Sequence, residues 1–164
     1  MEHIIIRNVK AGEGEQLAAI ESICFPAEEA ASKEEVLKRV RVFPENFFVA
    51  ELDGKVAGFI NGCNTKSPIL NDDLYHNTEL HEPEGDYQTF FGLNVLPGYR
   101  RKGIAEQLVK RYIQAAKDRG RKGVILTCKE HMIHYYERFG FINYGVADSG
   151  HGGAVWYDMK LIFD

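Results

Sequence analysis

The sequence predicts a single α+β domain over residues 1–164, a mixed and mainly antiparallel sheet flanked by helices in the order β-α-α-β-β-β-α-β-α-β-β. Three observations carry this expectation. Short runs of aromatic and branched residues recur as strand candidates, segments of helical period separate several of them, and glycine or proline closes most of both. A chain of 164 residues is long enough to bury a sizeable core, and it shows neither an internal repeat nor a second core pattern.

The elements follow in order. Ile4-Ile5-Ile6 marks a strand from His3 to Asn8. Leu17, Ile20 and Cys24 share one helical face, with Ala18, Ala19 and Ile23 beside it, so Gly12 to Cys24 is a helix that Phe25-Pro26 breaks. Ser32 caps a second helix, with Glu35 at capping-box spacing and Val36, Leu37 and Val40 as its apolar side. Strands at Asn46 to Leu52 and Lys55 to Asn64 are joined by the hairpin signal Asp53-Gly54. Within the return strand, Gly58 and Gly62 mark close backbone approaches or a loosened strand. Thr65 to Asp86 is polar and irregular. It reads either as a disordered insert or, through Leu70, Leu74, Tyr75 and Leu80, as a packed functional loop.

The rest of the chain is organised around the stretch from Phe90 to Ala105. Phe90, Phe91, Leu93, Val95 and Leu96 form a central strand, and Pro97-Gly98 turns it. Arg100, Arg101, Lys102 and Gly103 then lead into a long amphipathic helix. Ile104, Leu108 and Tyr112 lie on one stripe and Ala105, Val109, Ile113 and Ala116 on the next, and Gly120 ends the helix. A basic, glycine-bearing turn at a helix start offers free N–H groups, the positive end of the helix dipole and cationic side chains to one anion, which suits a pyrophosphate. Downstream, Lys122 to Cys128 is a strand buried on both faces, and His131 to Phe139 is a short helix stopped by Gly140. Phe141 to Val146 is a strand, Asp148 to Gly153 a glycine-rich loop, and Ala154 to Phe163 a final alternating strand that, as a sheet edge, could pair with another subunit.

Composition narrows the function classes. A net charge of −4 carries no general basic footprint for nucleic acid, and the basic patch near Arg100 is local, as an anionic cosubstrate requires. The acidic remainder favours a cationic second substrate. Cys24, Cys63 and Cys128 form neither a CxxC pair nor a disulfide framework, which points to a reducing, cytoplasmic setting. His131 and His134 lack companion ligands, so no metal is expected. Met1-Glu-His-Ile has neither a basic start nor an apolar run, and no stretch of 18 apolar residues exists, so neither a signal peptide nor a membrane association is expected.

Arg100-x-x-Gly103-x-Ala105, after a strand and opening a helix, resembles the acyl-CoA signature of the GCN5-related N-acetyltransferase (GNAT) superfamily. Tyr135-Tyr-Glu-Arg-Phe-Gly-Phe141 resembles a second signature of these enzymes, a short helix carrying a tyrosine and turning at a glycine. The element order is that of the superfamily over nearly the whole chain. Within it, Leu126-Thr-Cys-Lys-Glu130, Tyr136 to Phe141 and Glu79 to Asp86 look most like arylalkylamine (serotonin) N-acetyltransferases. That subfamily carries two histidines on the central strand as a proton route, and this chain has Thr89 and Phe91 in their places.

The resemblance implies attack of a primary amine, a small one, on acetyl-CoA in a ternary complex without a metal. It implies cofactor contacts from Leu93, Asn94 and Val95 and from Arg100, Arg101, Lys102, Gly103, Ile104, Ala105 and Glu106. Tyr136 is the implied proton donor to the departing thiolate, with Tyr135 its rival. The acceptor side falls to Phe25, Glu28, Glu29 and Thr89, with His81 and Asp86 as further candidates for a base or a water-ordering group. Phe91 and Trp156 are candidates for an aromatic wall. Two other readings stand beside this one: an acyl-CoA-binding sensor without turnover, and transfer to a protein amine.

Overall fold

Ser32 and Glu35 close a full capping box. The Ser32 hydroxyl accepts from the Glu35 N–H at 3.1 Å, the Glu35 carboxylate accepts from the Ser32 N–H at 3.0 Å, and helix α2 (Lys33–Val42) starts there. This computed structural model describes residues 3–148 and 151–164. Met1 and Glu2, where the leader expectation rests, and Ser149 and Gly150 of the glycine-rich loop lie outside them.

The described residues fall into two compact units, one reaching to Gly62 and resuming at Gly92–Tyr112, the other formed by Cys63–Phe91 and Ile113–Asp164. In the first, strands β1 (Ile4–Asn8), β2 (Phe48–Leu52) and β3 (Lys55–Asn61) make an antiparallel sheet in the order β1-β2-β3-β6, with β6 (Gly92–Val95) at its end. The Asp53-Gly54 hairpin forms as expected, with positive φ at both residues, the backbone that a tight two-residue connection requires. Helix α1 (Gly14–Cys24) and α2 cover one face. Leu17, Ile20, Val36, Phe47, Val49 and Phe59 pack there at no more than 4 % exposure, each burial worth about 1.5–3 kcal/mol. Gly58 is a close approach: a Cβ there would run into the carbonyl oxygen of Asn94 on β6.

The second unit holds β4 (Asn64–Thr65), β5 (Tyr87–Phe90), β7 (Gly123–Cys128), β8 (Ile142–Val146) and β9 (Tyr157–Ile162), in the order β4-β5-β7-β9-β8. Only β5 and β7 run parallel. Val124, Ile125 and Leu126 are at most 1 % exposed, as the apolar run of that strand predicts. Here the final strand departs from expectation. β9 lies between β7 and β8, so it is not an edge, and β8 takes that place.

Two further differences concern the middle of the chain. The central strand is not continuous. It breaks at Phe91 into β5 and β6, which pair in different sheets. Thr65 to Asp86 is no disordered insert. It forms β4, the short helix α3 (Asp73–His76) and a turn, and it is tied down by polar bonds that no periodicity announces. Arg121 donates to the carbonyls of Gly85 (2.6 Å) and Pro83 (3.0 Å), Glu82 N–H to Asn64 (3.0 Å), and the Tyr75 and Thr127 hydroxyls meet at 2.9 Å.

The long helix α4 (Ile104–Asp118) begins in the first unit and runs into the second, and α5 (Ile133–Glu137) belongs to the second. Among the described residues no helix is long and apolar enough to cross a membrane.

Candidate active site

In the first unit, β6 ends its sheet, and backbone alternation decides what its outer edge offers. Leu96 N–H donates to Ala57 on β3, so Asn94 also turns its backbone to β3 while Leu93 and Val95 turn theirs outward. Val95 C=O is met there by Arg100 Nε at 2.9 Å and by Cys24 Sγ at 3.5 Å. The signature arginine is thus folded back onto the strand that precedes it.

Between Arg100 and α4 the backbone takes positive φ twice, at Arg101 (65°) and Gly103 (82°). These turns bring the chain into the helix with Gln107 N–H to Gly103 C=O, at 3.1 Å, as the bond that starts α4. The N–H groups of Gly103, Ile104 and Ala105 therefore have no acceptor inside the helix. A Cβ at Gly103 would meet nothing within 4 Å, so the space above the first turn is open. Arg101 and Lys102 are exposed beside it, while Glu106 pairs with Lys110 at 2.9 Å. Ile104, Leu108, Val109 and Tyr112 are at most 1 % exposed and hold the helix from below. Outward amides, open space and two basic side chains fit a pyrophosphate group and an extended polar arm along β6.

The loop after α1 carries the expected acceptor residues. Phe25 is half-buried and lies beside Gly92, Glu28 is exposed, and Glu29 caps a turn through its N–H to Pro26 C=O at 2.9 Å. Beneath this loop sits a carboxylate that the sequence reading does not single out. Glu21 is 5 % exposed, and its Oε2 accepts from Ala31 N–H at 3.0 Å. Burial pushes its carboxyl pKa up, against the pull of Ala31, Arg39 and the Asn94 amide. The signal was available: Glu21 interrupts the apolar stripe of Leu17, Ile20 and Cys24.

In the second unit, Thr89 is fully buried. Its hydroxyl accepts from Cys63 N–H (2.9 Å) and donates to Cys63 C=O (3.0 Å), which ties β5 to the chain before β4. His81 Nδ1 accepts from Asn64 N–H at 3.1 Å, and Asp86 pairs with Lys122 at 3.5 Å. Phe91 leans on Tyr75 with ring centroids 4.8 Å apart, and Trp156 lies under the Lys129 ammonium at 5.6 Å.

Tyr136, on α5, is 6 % exposed and boxed edge-on by Phe90, Tyr135 and Phe141, with centroids at 5.5, 5.2 and 6.0 Å. Burial drives its phenol pKa well above the ordinary tyrosine range, and Cys128, Tyr135 and Tyr75 add to the shift. The neighbouring Cys128 thiol is itself pushed up by burial to about 11. His134 is exposed and pairs with Glu137 at 2.9 Å, and the described residues gather no group of three or more metal-ligand side chains.

This fold and these two signature segments meet in one family: the chain belongs to the acetyltransferase (GNAT) family, whose profile matches residues 14–141. A probable hydrolase from Bacillus subtilis is 25 % identical over 147 residues, covering 81 % of this chain and 27 % of that protein. An uncharacterized N-acetyltransferase from Methanocaldococcus jannaschii is 34 % identical over 101 residues, covering 59 % and 39 %. The chain thus spans about a quarter to two fifths of the length of these relatives. Among solved structures, the GphF GNAT-like decarboxylase in complex with isobutyryl-CoA superposes with a TM-score of 0.83 at 20 % identity, over 96 % of this chain and 98 % of that one. A GNAT family acetyltransferase from Brucella melitensis in complex with acetyl-CoA gives 0.64 at 19 %, over 99 % and 89 %.

Proposed function

We propose that this chain transfers an acetyl group from acetyl-CoA to a small primary amine, by direct attack within a ternary complex. The observation that carries the reading is the double positive-φ turn at Arg101 and Gly103, opening α4 beside the outward edge of β6, in a chain of the GNAT family. The acetyl-CoA bound in the Brucella melitensis neighbour supports the choice of cosubstrate. Bound acetyl-CoA supplies an activated thioester carbonyl.

The chain's own residues do the rest. N–H groups of the α4 first turn, with Arg101 and Lys102, grip the pyrophosphate, and main-chain groups of Leu93 and Val95 align the pantetheine arm. Holding the two reactants in line supplies a large share of the rate. Phe25, Glu28 and Glu29 form the acceptor's approach, where exposed acidic charge attracts an ammonium group.

Tyr136 keeps its proton throughout the neutral range because its pKa is raised. Full ionisation against a thiolate is therefore uphill. Its part is to donate a hydrogen bond to the leaving sulfur while charge develops there. Thr89 holds β5 in place through Cys63. Phe25 on the loop and the sequence likeness support an arylalkylamine among the acceptors to try. The three free cysteines support a reducing compartment such as the cytoplasm.

Release of free thiol from acetyl-CoA, followed with phenethylamine, propylamine, a polyamine and an amino-terminal peptide, tests the proposal. Amine-dependent release sustains it and ranks the acceptors. Saturable acetyl-CoA binding with no release under any acceptor would replace it by a sensor role.

A further inference from the structure

Within the first unit, one buried polar cluster is left unused by the chemistry above. Asn61 lies opposite Gly92 in the β3–β6 pairing, and Asn94 lies two residues on along β6, so both amides project from the same sheet face. That face also carries Phe59, which packs with Leu17, Ile20 and Val36 of α1 and α2. From those helices, Glu21 and Arg39 reach the same layer, and all four polar side chains are at most 5 % exposed. Arg39 donates to Asn61 Oδ1 at 3.4 Å. No well-formed hydrogen bond reaches Glu21 Oε1, either amide atom of Asn94 or the Asn61 Nδ2, and the Asn94 amide stands beside the Glu21 carboxylate only near enough to ease its pKa down. Phe25 and the Asn94 amide each come within 3.7 Å of where a Cβ on Gly92 would stand, so the cluster adjoins the acceptor loop.

We propose that Glu21, Asn94 and Asn61 form the site that receives the acceptor's primary ammonium group and takes one of its protons. This rests on the acetyltransferase reading, and it names the base and the charge state of the substrate. A buried carboxylate oxygen and a buried amide without a well-formed hydrogen bond weaken the fold, and such groups concentrate where a ligand completes them. The unmatched set holds acceptors on Glu21 and Asn94 and donors on Asn94 and Asn61. An ammonium matches the acceptors, whereas an anion would be repelled by Glu21 and an apolar group would satisfy none.

The proton step balances simply. One N–H bond of the ammonium breaks, the proton goes to Glu21 Oε1 and the electron pair stays on nitrogen. The amine keeps two N–H donors, one of them for Asn94 Oδ1, and Glu21 later returns its proton to water. Burial raises the Glu21 pKa, which makes this carboxylate a stronger base than an exposed one. The charged and titratable groups facing it are Arg39 and Glu35 from α2 and Cys24 from α1.

Glu21→Gln tests the assignment, because the amide still accepts from Ala31 N–H. With phenethylamine as acceptor, kcat/KM for the amine is expected to fall about 10²-fold and its acid limb to disappear, with KM for acetyl-CoA unchanged and Tm at pH 7 not lowered. Asn94→Ser, a milder change, is expected to raise KM for phenethylamine. Unchanged amine kinetics in both variants would overturn the proposal. So would a joint fall of Tm, acetyl-CoA affinity and turnover, the mark of a purely structural latch. If the wild type released no thiol with any amine, the acetyltransferase reading would fail on its own. Calorimetry of phenethylamine binding to wild type and Glu21→Gln would then decide this site, equal affinities refuting it.

Discussion

Arg100 Nε sits 2.9 Å from the carbonyl oxygen of Val95, so the first residue of the turn that leads into α4 is clasped to the last residue of the strand before it. The clasp fixes where the turn starts relative to the β6 edge. Arg100→Ala removes a charge-assisted bond worth about 1.5 kcal/mol, and acetyl-CoA affinity is expected to fall about tenfold. Calorimetric Kd values for the two proteins check this. An unchanged Kd would show that the turn holds its shape without the clasp.

Gly103 carries φ of 82°, a conformation in which a side chain costs about 1–2 kcal/mol. Gly103→Ala is expected to lower Tm by about 2–8 °C and to weaken acetyl-CoA binding, since strain and coordination share one turn. Arg101 already sits at 65°, so Arg101→Gly relieves strain while removing a cation. That variant should keep or gain thermal stability and still bind acetyl-CoA less tightly. Thermal melts with and without acetyl-CoA separate the two effects.

Tyr136→Phe is expected to reduce kcat about 10²-fold with little change in either KM, the pattern of a bond made mainly in the transition state. The pKa direction adds a second test. The folded state retains a phenolic proton that the unfolded chain gives up above about pH 10, so stability falls as pH rises beyond that point. Wild type should lose Tm faster than Tyr136→Phe between pH 10 and 11, and parallel curves would contradict the burial assigned to this hydroxyl.

Thr89→Val keeps the shape of the side chain and removes the hydroxyl that serves Cys63 twice. The Cys63 N–H loses its hydroxyl acceptor while the Cys63 C=O keeps the Thr89 N–H at 2.7 Å, and stability is expected to drop by about 1–3 kcal/mol in urea unfolding. The kinetic constants of the remaining folded protein should hold. A selective rise in amine KM at unchanged stability would instead return Thr89 to the acceptor site.

The legible parts of this fold are those governed by short-range rules. Ser32 and Glu35 announced their capping box, Asp53-Gly54 its hairpin, and Gly103 its turn, because each needs only a few neighbours in sequence. The break at Phe91 was hidden, since its cause is the exchange of one pairing partner for another and the residues on both sides have strand character. The order in Thr65 to Asp86 was hidden too, because Arg121, 36 residues beyond Gly85, helps to hold it. The same holds for the final strand, whose interior position depends on β8 folding back beside it. Of the candidate site, the turn and the short tyrosine helix could be read from motif. Glu21 and Asn94 could not be joined, for only the β3–β6 register and the α1 packing bring them together.

The central claim is that the amides opening α4 and the outward edge of β6 bind the coenzyme. Backbone amide NMR of the wild type during titration with acetyl-CoA tests it most directly. The account predicts saturable shifts concentrated at Leu93, Val95 and residues 101–106. No saturable shift, or shifts elsewhere that spare these residues, would contradict it.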